Sequence, residues 1–274
     1  MRKTYQARGF CRNLALVTLV GMGLGTPCVV WAASSNANAI DGQFTADSVS
    51  THLGPVAPVE GSASMIGAKP PSYSKSASLG KVNQTLKIAS GTPLMPVIQV
   101  SSATLKSTVS GSRGIDTNSA QAGSTAKSMT VALIAETAPG IMAPVPAPFL
   151  TVTLGDLSAS ASYRQVFPSS ATTSGTVSFG SLAVTGTLLS GTVKPVKGAV
   201  KANTLLYQSQ DGSLSITLNR QIPAGLISCQ VGTGCTFTTY SITTDAVAIS
   251  LHNVILQGHK VTGEIVVGHT RAGQ

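Results

Sequence analysis

Three histidines, His252, His259 and His269, gather with Glu264 near the C-terminal end of a 274-residue chain. Imidazoles and a carboxylate are the groups from which a metal centre or a general base is built, and a hairpin here would bring His252 beside Glu264. The spacing argues otherwise. No two of these histidines stand at i and i+2, the separation that puts ligands on one face of a strand, and no short-spaced ligand motif occurs. The expectation is solvent-facing histidines at strand ends, with no metal and no cofactor. A secreted hydrolase or metal-binding protein using these histidines is the rival reading.

Other catalytic constellations fare no better. Serines are plentiful, but the chain holds no Gly-x-Ser-x-Gly turn to expose a nucleophile, and the fourth histidine, His52, falls in an irregular stretch. The acids Asp116, Glu136, Asp156, Asp211, Asp245 and Glu264 are dispersed, whereas paired-carboxylate chemistry needs two in opposed environments. Asp156 and Asp211 adjoin glycines, and turn geometry accounts for both. No catalytic residue is assigned, and the chain is expected not to be an enzyme.

Composition restricts the partners. Aromatic residues make up 4% of the chain, which leaves few flat faces for stacking sugar rings or unpaired bases. A carbohydrate-binding module would need Tyr163, Tyr207 or Tyr240 to line a shared groove. Lys69, Lys75, Lys81, Lys87, Lys106 and Lys127 are scattered singly and form no phosphate-binding stripe, so nucleic acid is not an expected partner. Isolated lysines of this kind keep strand faces soluble and blunt sheet edges.

Arg2, Lys3, Arg8 and Arg12 precede an apolar run from Leu14 to Trp31, followed by small-residue cleavage sites at Val30-Trp31-Ala32 or Ala37-Asn38-Ala39. This is the pattern of a signal peptide over residues 1–32, with a cut after Ala39 as the alternative. It implies secretion or residence in the cell envelope, at the periplasm or cell surface, with no transmembrane span once the leader is gone. Cys11 and Cys28 leave with it. In an oxidising compartment the remaining Cys229 and Cys235, separated by a short polar segment, are expected to form one disulfide that pins a hairpin tip.

The elements that would position these residues are strands. Residues 40–71 are rich in Ser, Gly, Pro and Ala and read as an extended lead-in. A single β domain over 72–274 follows, marked by period-two alternation: Leu86 and Ile88; Leu150, Val152 and Leu154; Val247, Ile249 and Leu251. Leu214, Ile216 and Leu218 follow the turn dipeptide Asp211-Gly212, while Val261, Ile265 and Val267 follow a turn at Gln257-Gly258-His259. No apolar period of 3.6 persists. An all-β fold is predicted, an antiparallel β-sandwich or irregular barrel of many short strands. A faint internal match at an offset of 52 relates 96–134 to 148–184 and suggests a duplicated strand unit. The missing aromatic girdles argue against an outer-membrane barrel.

Three segments carry a family resemblance. Ala202-Asn203-Thr204, the strand Ser215-Ile216-Thr217-Leu218-Asn219-Arg220-Gln221, and Ile242-Thr243-Thr244-Asp245-Ala246-Val247 followed by Gly263-Glu264-Ile265-Val266-Val267-Gly268 are similar to a turn and strands of the choice-of-anchor P family of secreted bacterial domains. The resemblance spans about 130–272. Arg220 stands where that family usually has an acid, and Asp245 where it usually has Asn. It implies a secreted β-rich domain without a catalytic role. The expected function is that of an exported structural or interaction protein of the bacterial envelope or extracellular matrix, adhesion-like, with an unknown partner there.

Overall fold

The computed structural model describes residues 32–46, 49–63, 71–88, 95–114, 116–134, 148–166, 171–230, 234–256 and 258–274. Residues 1–31, which cover nearly all of the expected signal peptide, and Lys69, Glu136 and Gln257 lie outside them. Sixteen strands and no helix occur among the described residues. No helix long and apolar enough to cross a membrane is therefore present there. The first strands are β1 (Ala33–Ala46), β2 (Val49–Val56) and β3 (Val59–Ala63). Next come β4 (Ser72–Leu79), β5 (Val82–Ile88), β6 (Met95–Ser102), β7 (Thr104–Arg113), β8 (Thr117–Lys127) and β9 (Met129–Ile134). The long β10 (Pro148–Val166) and β11 (Thr172–Thr185) precede the short β12 (Val196–Ala199) and β13 (Thr204–Gln208). The chain ends in β14 (Leu214–Gln230), β15 (Gly234–Leu256) and β16 (His259–Gly273).

Both ends of the chain build one sheet, in the order β13-β14-β15-β16-β1-β2, with β3 continuing β2 along the same edge of β1. The middle of the chain builds the other, in the order β4-β7-β8-β10-β9-β6-β5, with β11 on the far side of β10 and β12 beyond it. All pairings are antiparallel, and the two sheets share one core, as expected of a β-rich sandwich.

Several of these strands are halves of longer ones. Leu79 pairs with Leu105 and Val82 with Ser102 at one constant offset, and the same continuity runs from Thr104↔Lys127 to Ser101↔Thr130 and from Leu157↔Ala126 to Leu154↔Met129. The middle sheet is thus a meander of five long strands, each bent once. The bends fall on one transverse line through Gly80/Lys81, Ala103/Thr104, Lys127/Ser128, Gly155/Asp156 and Gly180/Ser181, where two successive residues turn away from the core. Ser128 and Asp156 adopt φ of 49° and 45° there. Asp156 therefore does not end a strand, as its glycine neighbour suggested. Its left-handed backbone, which Asp tolerates better than most residues, shifts the alternation while pairing continues on both sides.

The terminal sheet carries the opposite device. At Leu218/Asn219, Ala246/Val247, Val267/Gly268 and Ala39/Ile40, two successive residues point inward and are buried. The four pairs lie side by side across β14, β15, β16 and β1, so register is kept while the inward face changes phase.

On one side of these lines the core is aliphatic, with Ile98, Leu133, Leu150, Leu182, Leu214 and Ile216 almost wholly buried. On the other side small residues meet. Ala33, Ala120, Ala161 and Ala272 surround the buried Tyr163, whose hydroxyl donates to Gln165 Oε1 at 2.9 Å. At the boundary, a Cβ added to Gly268 would lie 2.9 Å from the Ala246 Cβ and 3.2 Å from Leu157 Cδ2.

The stretch read as a lead-in is part of the fold. Residues 40–63 supply strands, and Ile40, Phe44 and Leu53 lie in the main core. Its alternation was hidden because alanines and glycines fill half of the inward positions, among them Gly42, Ala46, Gly61 and Ala63, which suits a narrow gap between sheets. β1 pairs with β16 from Ser34↔Gly273 to Ala46↔Val261. A mature chain beginning after Ala39 would lose the part of β1 that holds β3 and the end of β16. The offset of 52 also has a structural counterpart: the bends at Ala103/Thr104 and Gly155/Asp156 occupy equivalent positions, each followed by a hairpin, Leu105↔Ala126 in one and Leu157↔Phe179 in the other.

Candidate functional site

The phase change in the terminal sheet decides where its charges go. Had the alternation run on regularly from Leu218, Val247 and Val267, then Arg220, Asp245 and His269 would point into the core. The extra inward residue places them instead on the outer face, directly opposite one another on β14, β15 and β16, with Asn38 of β1 completing the row. Arg220 donates from Nε and Nη2 to Asp245 Oδ2 at 2.9 and 2.7 Å. It also donates from Nη1 and Nη2 to Glu264 Oε1 and Oε2 at 2.5 and 2.8 Å. His269 Nδ1 lies 2.7 Å from Asp245 Oδ1, and the Ser250 hydroxyl donates to Glu264 at 2.8 Å. Burial alone would lower the guanidinium pKa, but the bonds to Glu264 and Asp245 outweigh it and hold Arg220 above its ordinary value.

The Asp245 side chain is 2% exposed, so its charge depends on these partners. The row closes on itself chemically. Both oxygens of each carboxylate are engaged, and the arginine spends three nitrogens on them. An Asp–His pair is part of a nucleophilic relay, yet such a relay requires a hydroxyl or thiol bonded to the second imidazole nitrogen. Among the described residues none is bonded to His269 Nε2. The shallow depression over the row is rimmed by Asp41, Gln43, Ile222 and Thr243.

The other sequence candidates disperse. His252 is exposed, its Nε2 3.2 Å from Asn253 Nδ2, and is not beside Glu264, because the register sets Ser250, two residues earlier on β15, opposite Glu264. His259 pairs in register with Leu256 at the far end of β16, so the three histidines do not converge. Among the described residues no group of three or more His, Cys, Asp or Glu side chains is placed to hold a metal. Asp211 does sit at a turn: it accepts from Ser213 N at 3.0 Å and Ser213 Oγ at 2.8 Å. Hydrogen bonds from Ser209 and then Ser213 draw its carboxyl down to about 2. Tyr163 is buried and its phenol pushed up to about 12, by burial first and Tyr240 second. Tyr207 is anchored elsewhere, its hydroxyl bonded to Leu188 O and Ser190 N at 3.1 Å. The three tyrosines share no groove. Cys229 lies directly opposite Cys235 in the β14–β15 register.

Comparison with protein-family models, curated proteins and solved structures finds no match.

The outer face of the middle sheet holds a second, larger feature. Below the bend line, β4, β7, β8, β10 and β11 run side by side without a register shift. One outward row reads Ser74, Ser110, Gln121, Ser162 and Ser174, and the next reads Ser76, Thr108, Gly123, Ser160 and Thr176. The flanking rows, from Ser72 to Thr172 and from Ser78 to Ser178, are also Ser and Thr except for Arg164 in the first and Lys106 in the second. Neighbouring hydroxyls bond across strands, Ser162 to Ser174 at 2.7 Å, Ser160 to Thr176 at 2.8 Å and Ser112 to Ser119 at 3.0 Å. A depression opens where Gly123, on the central strand, has no side chain. A Cβ there would lie 2.9 Å from Thr108 Oγ1.

Proposed function

We propose that the chain is an exported, non-catalytic β-sandwich protein of the bacterial envelope or extracellular matrix, and that it acts by offering area to a partner. The hydroxyl face of the middle sheet is the observation that carries this reading. Ser or Thr at sixteen of the twenty outward positions of five adjacent strands exceeds what solubility requires, since scattered charges keep a sheet face in water. The row of Arg220, Asp245, Glu264 and His269 supports the same view, because its charges are engaged with one another and, among the described residues, no hydroxyl or thiol is bonded to His269 Nε2 to act as a nucleophile. The resemblance of 130–272 to the choice-of-anchor P domains fits this class. The two positions where the chain departs from that pattern, Arg220 and Asp245, are partners, so one exchange accommodates the other.

The experiment follows the protein among cells, matrix and medium. Thr108→Tyr with Ser160→Tyr, which raises two bulky groups beside Gly123, is expected to release the protein into the medium. His269→Ala is expected to leave its distribution unchanged. Loss of retention in His269→Ala alone, or a hydrolytic activity that disappears with that substitution, would overturn the proposal in favour of a catalytic role for the charged row.

A further inference from the structure

We propose that the hydroxyl face of the middle sheet binds ice, that is, a solid lattice of ordered water. The inference rests on the reading that the protein acts through its surface and names what that surface meets. Strands in a sheet lie about 4.8 Å apart and outward residues recur about every 6.7 Å along each strand. The unbroken register of β4, β7, β8, β10 and β11 therefore sets hydroxyls at sixteen of the twenty points of a two-dimensional net, the exceptions being Gln121, Gly123, Lys106 and Arg164. A hydroxyl both donates and accepts, so the net has no fixed polarity. Covering it costs free energy unless the covering surface returns a hydrogen bond at nearly every point. A lattice of water oxygens offers such bonds every few ångströms in two dimensions.

Charge supports this occupant. No carboxylate stands on the net, and its two cations, Lys106 and Arg164, belong to the outermost rows, which leaves the inner rows neutral. The match is to an uncharged lattice. A polysaccharide surface is also uncharged and rich in hydroxyls, but sugar rings favour flat aromatic faces, and no position of the net is aromatic. A second copy of the chain is disfavoured by area. Five strands by four rows cover roughly 600 Å², less than the about 800 Å² per partner of a stable protein interface, and without an apolar centre.

The test grows ice slowly from a dilute solution of the mature protein and compares its concentration in ice and liquid with that of an unrelated protein. Several-fold enrichment in the ice is expected for the wild type. It should be lost in the Thr108→Tyr/Ser160→Tyr double variant and retained in Leu205→Tyr, an exposed position of the terminal sheet. Circular dichroism and the unfolding midpoint verify folding. Should the double variant not fold, Ser162→Lys with Ser174→Lys serves in its place. Exclusion of the wild type from ice would overturn the proposal, as would enrichment that survives in the folded face variants. Capture by crystalline cellulose or chitin, or a dimer abolished by the same variants, with no enrichment in ice, would reassign the face and refute the ice lattice. Those two outcomes would leave the surface-acting reading standing, whereas failure of that reading shows in the distribution of His269→Ala.

Discussion

At the scale of the residue, the molecule turns on one row of charges that engage one another, Arg220, Asp245, Glu264 and His269. Asp245 is buried against Arg220 and His269, and removing one partner of such a pair leaves an uncompensated charge. Arg220→Met is therefore expected to destabilise the fold by about 2–3 kcal/mol, less than a fully buried pair because Arg220 is partly exposed. Combining it with Asp245→Leu should recover much of that loss, and urea unfolding of both variants checks it. Tyr163 predicts a pH dependence with a definite sign. Its phenol is pushed from an ordinary 10.0 to about 12 in the fold, so the folded state holds the proton more tightly than the unfolded chain. That stability is fully present below pH 10 and is lost as pH rises through about 12. Denaturation midpoints over this range should fall, and Tyr163→Phe should fall less. The charged row was half legible in the sequence, where Arg220 and Asp245 stood out as departures from a pattern. Their pairing was hidden, because it depends on a phase change in four strands at once.

At the scale of the element, the bends are the organising device. Gly268 has φ 68°, lies beside Ala246 of β15 and faces Leu157 of the other sheet across a narrow gap, so a side chain there meets both backbone strain and overpacking. Gly268→Ala is expected to cost about 2–4 kcal/mol by unfolding measurements. The β14–β15 register sets Cys229 opposite Cys235, and directly opposed residues of an antiparallel pair lie within disulfide reach. Protein folded under oxidising conditions should show no free thiol before reduction, and reduction should lower its stability by roughly 2 kcal/mol for so short a loop. Thiol titration and thermal unfolding with and without reductant check both. Strands such as Leu214–Leu218 and Leu150–Leu154 were legible because large aliphatics alternate with Ser and Thr. β1 was not, because Ala33, Ala37 and Ala39 carry its inward face and alanine leaves only a faint alternation.

At the scale of the whole molecule, one sequence habit yields both surfaces of the middle sheet. Ala120, Ala122, Ala159 and Ala161 face inward while Ser119, Gln121, Ser160 and Ser162 face outward. The small inward residues fill the narrow half of the sandwich, and the hydroxyls collect on the outside. An all-β antiparallel fold was readable from this period. The joining of the two chain ends in one sheet was not, since no local signal pairs Ser34 with Gly273. The arrangement rests on register, because a slip of one residue in any strand would exchange its two faces. Nuclear Overhauser contacts across the central row test this most directly. The fold described predicts contacts linking Gly123 to Thr108 on one side and to Ser160 on the other, with Ser160 in turn linked to Thr176. Contacts displaced by one residue, linking Gly123 to Ala159 or Ala161 as its opposed partner, would turn that strand's hydroxyls inward and contradict the account.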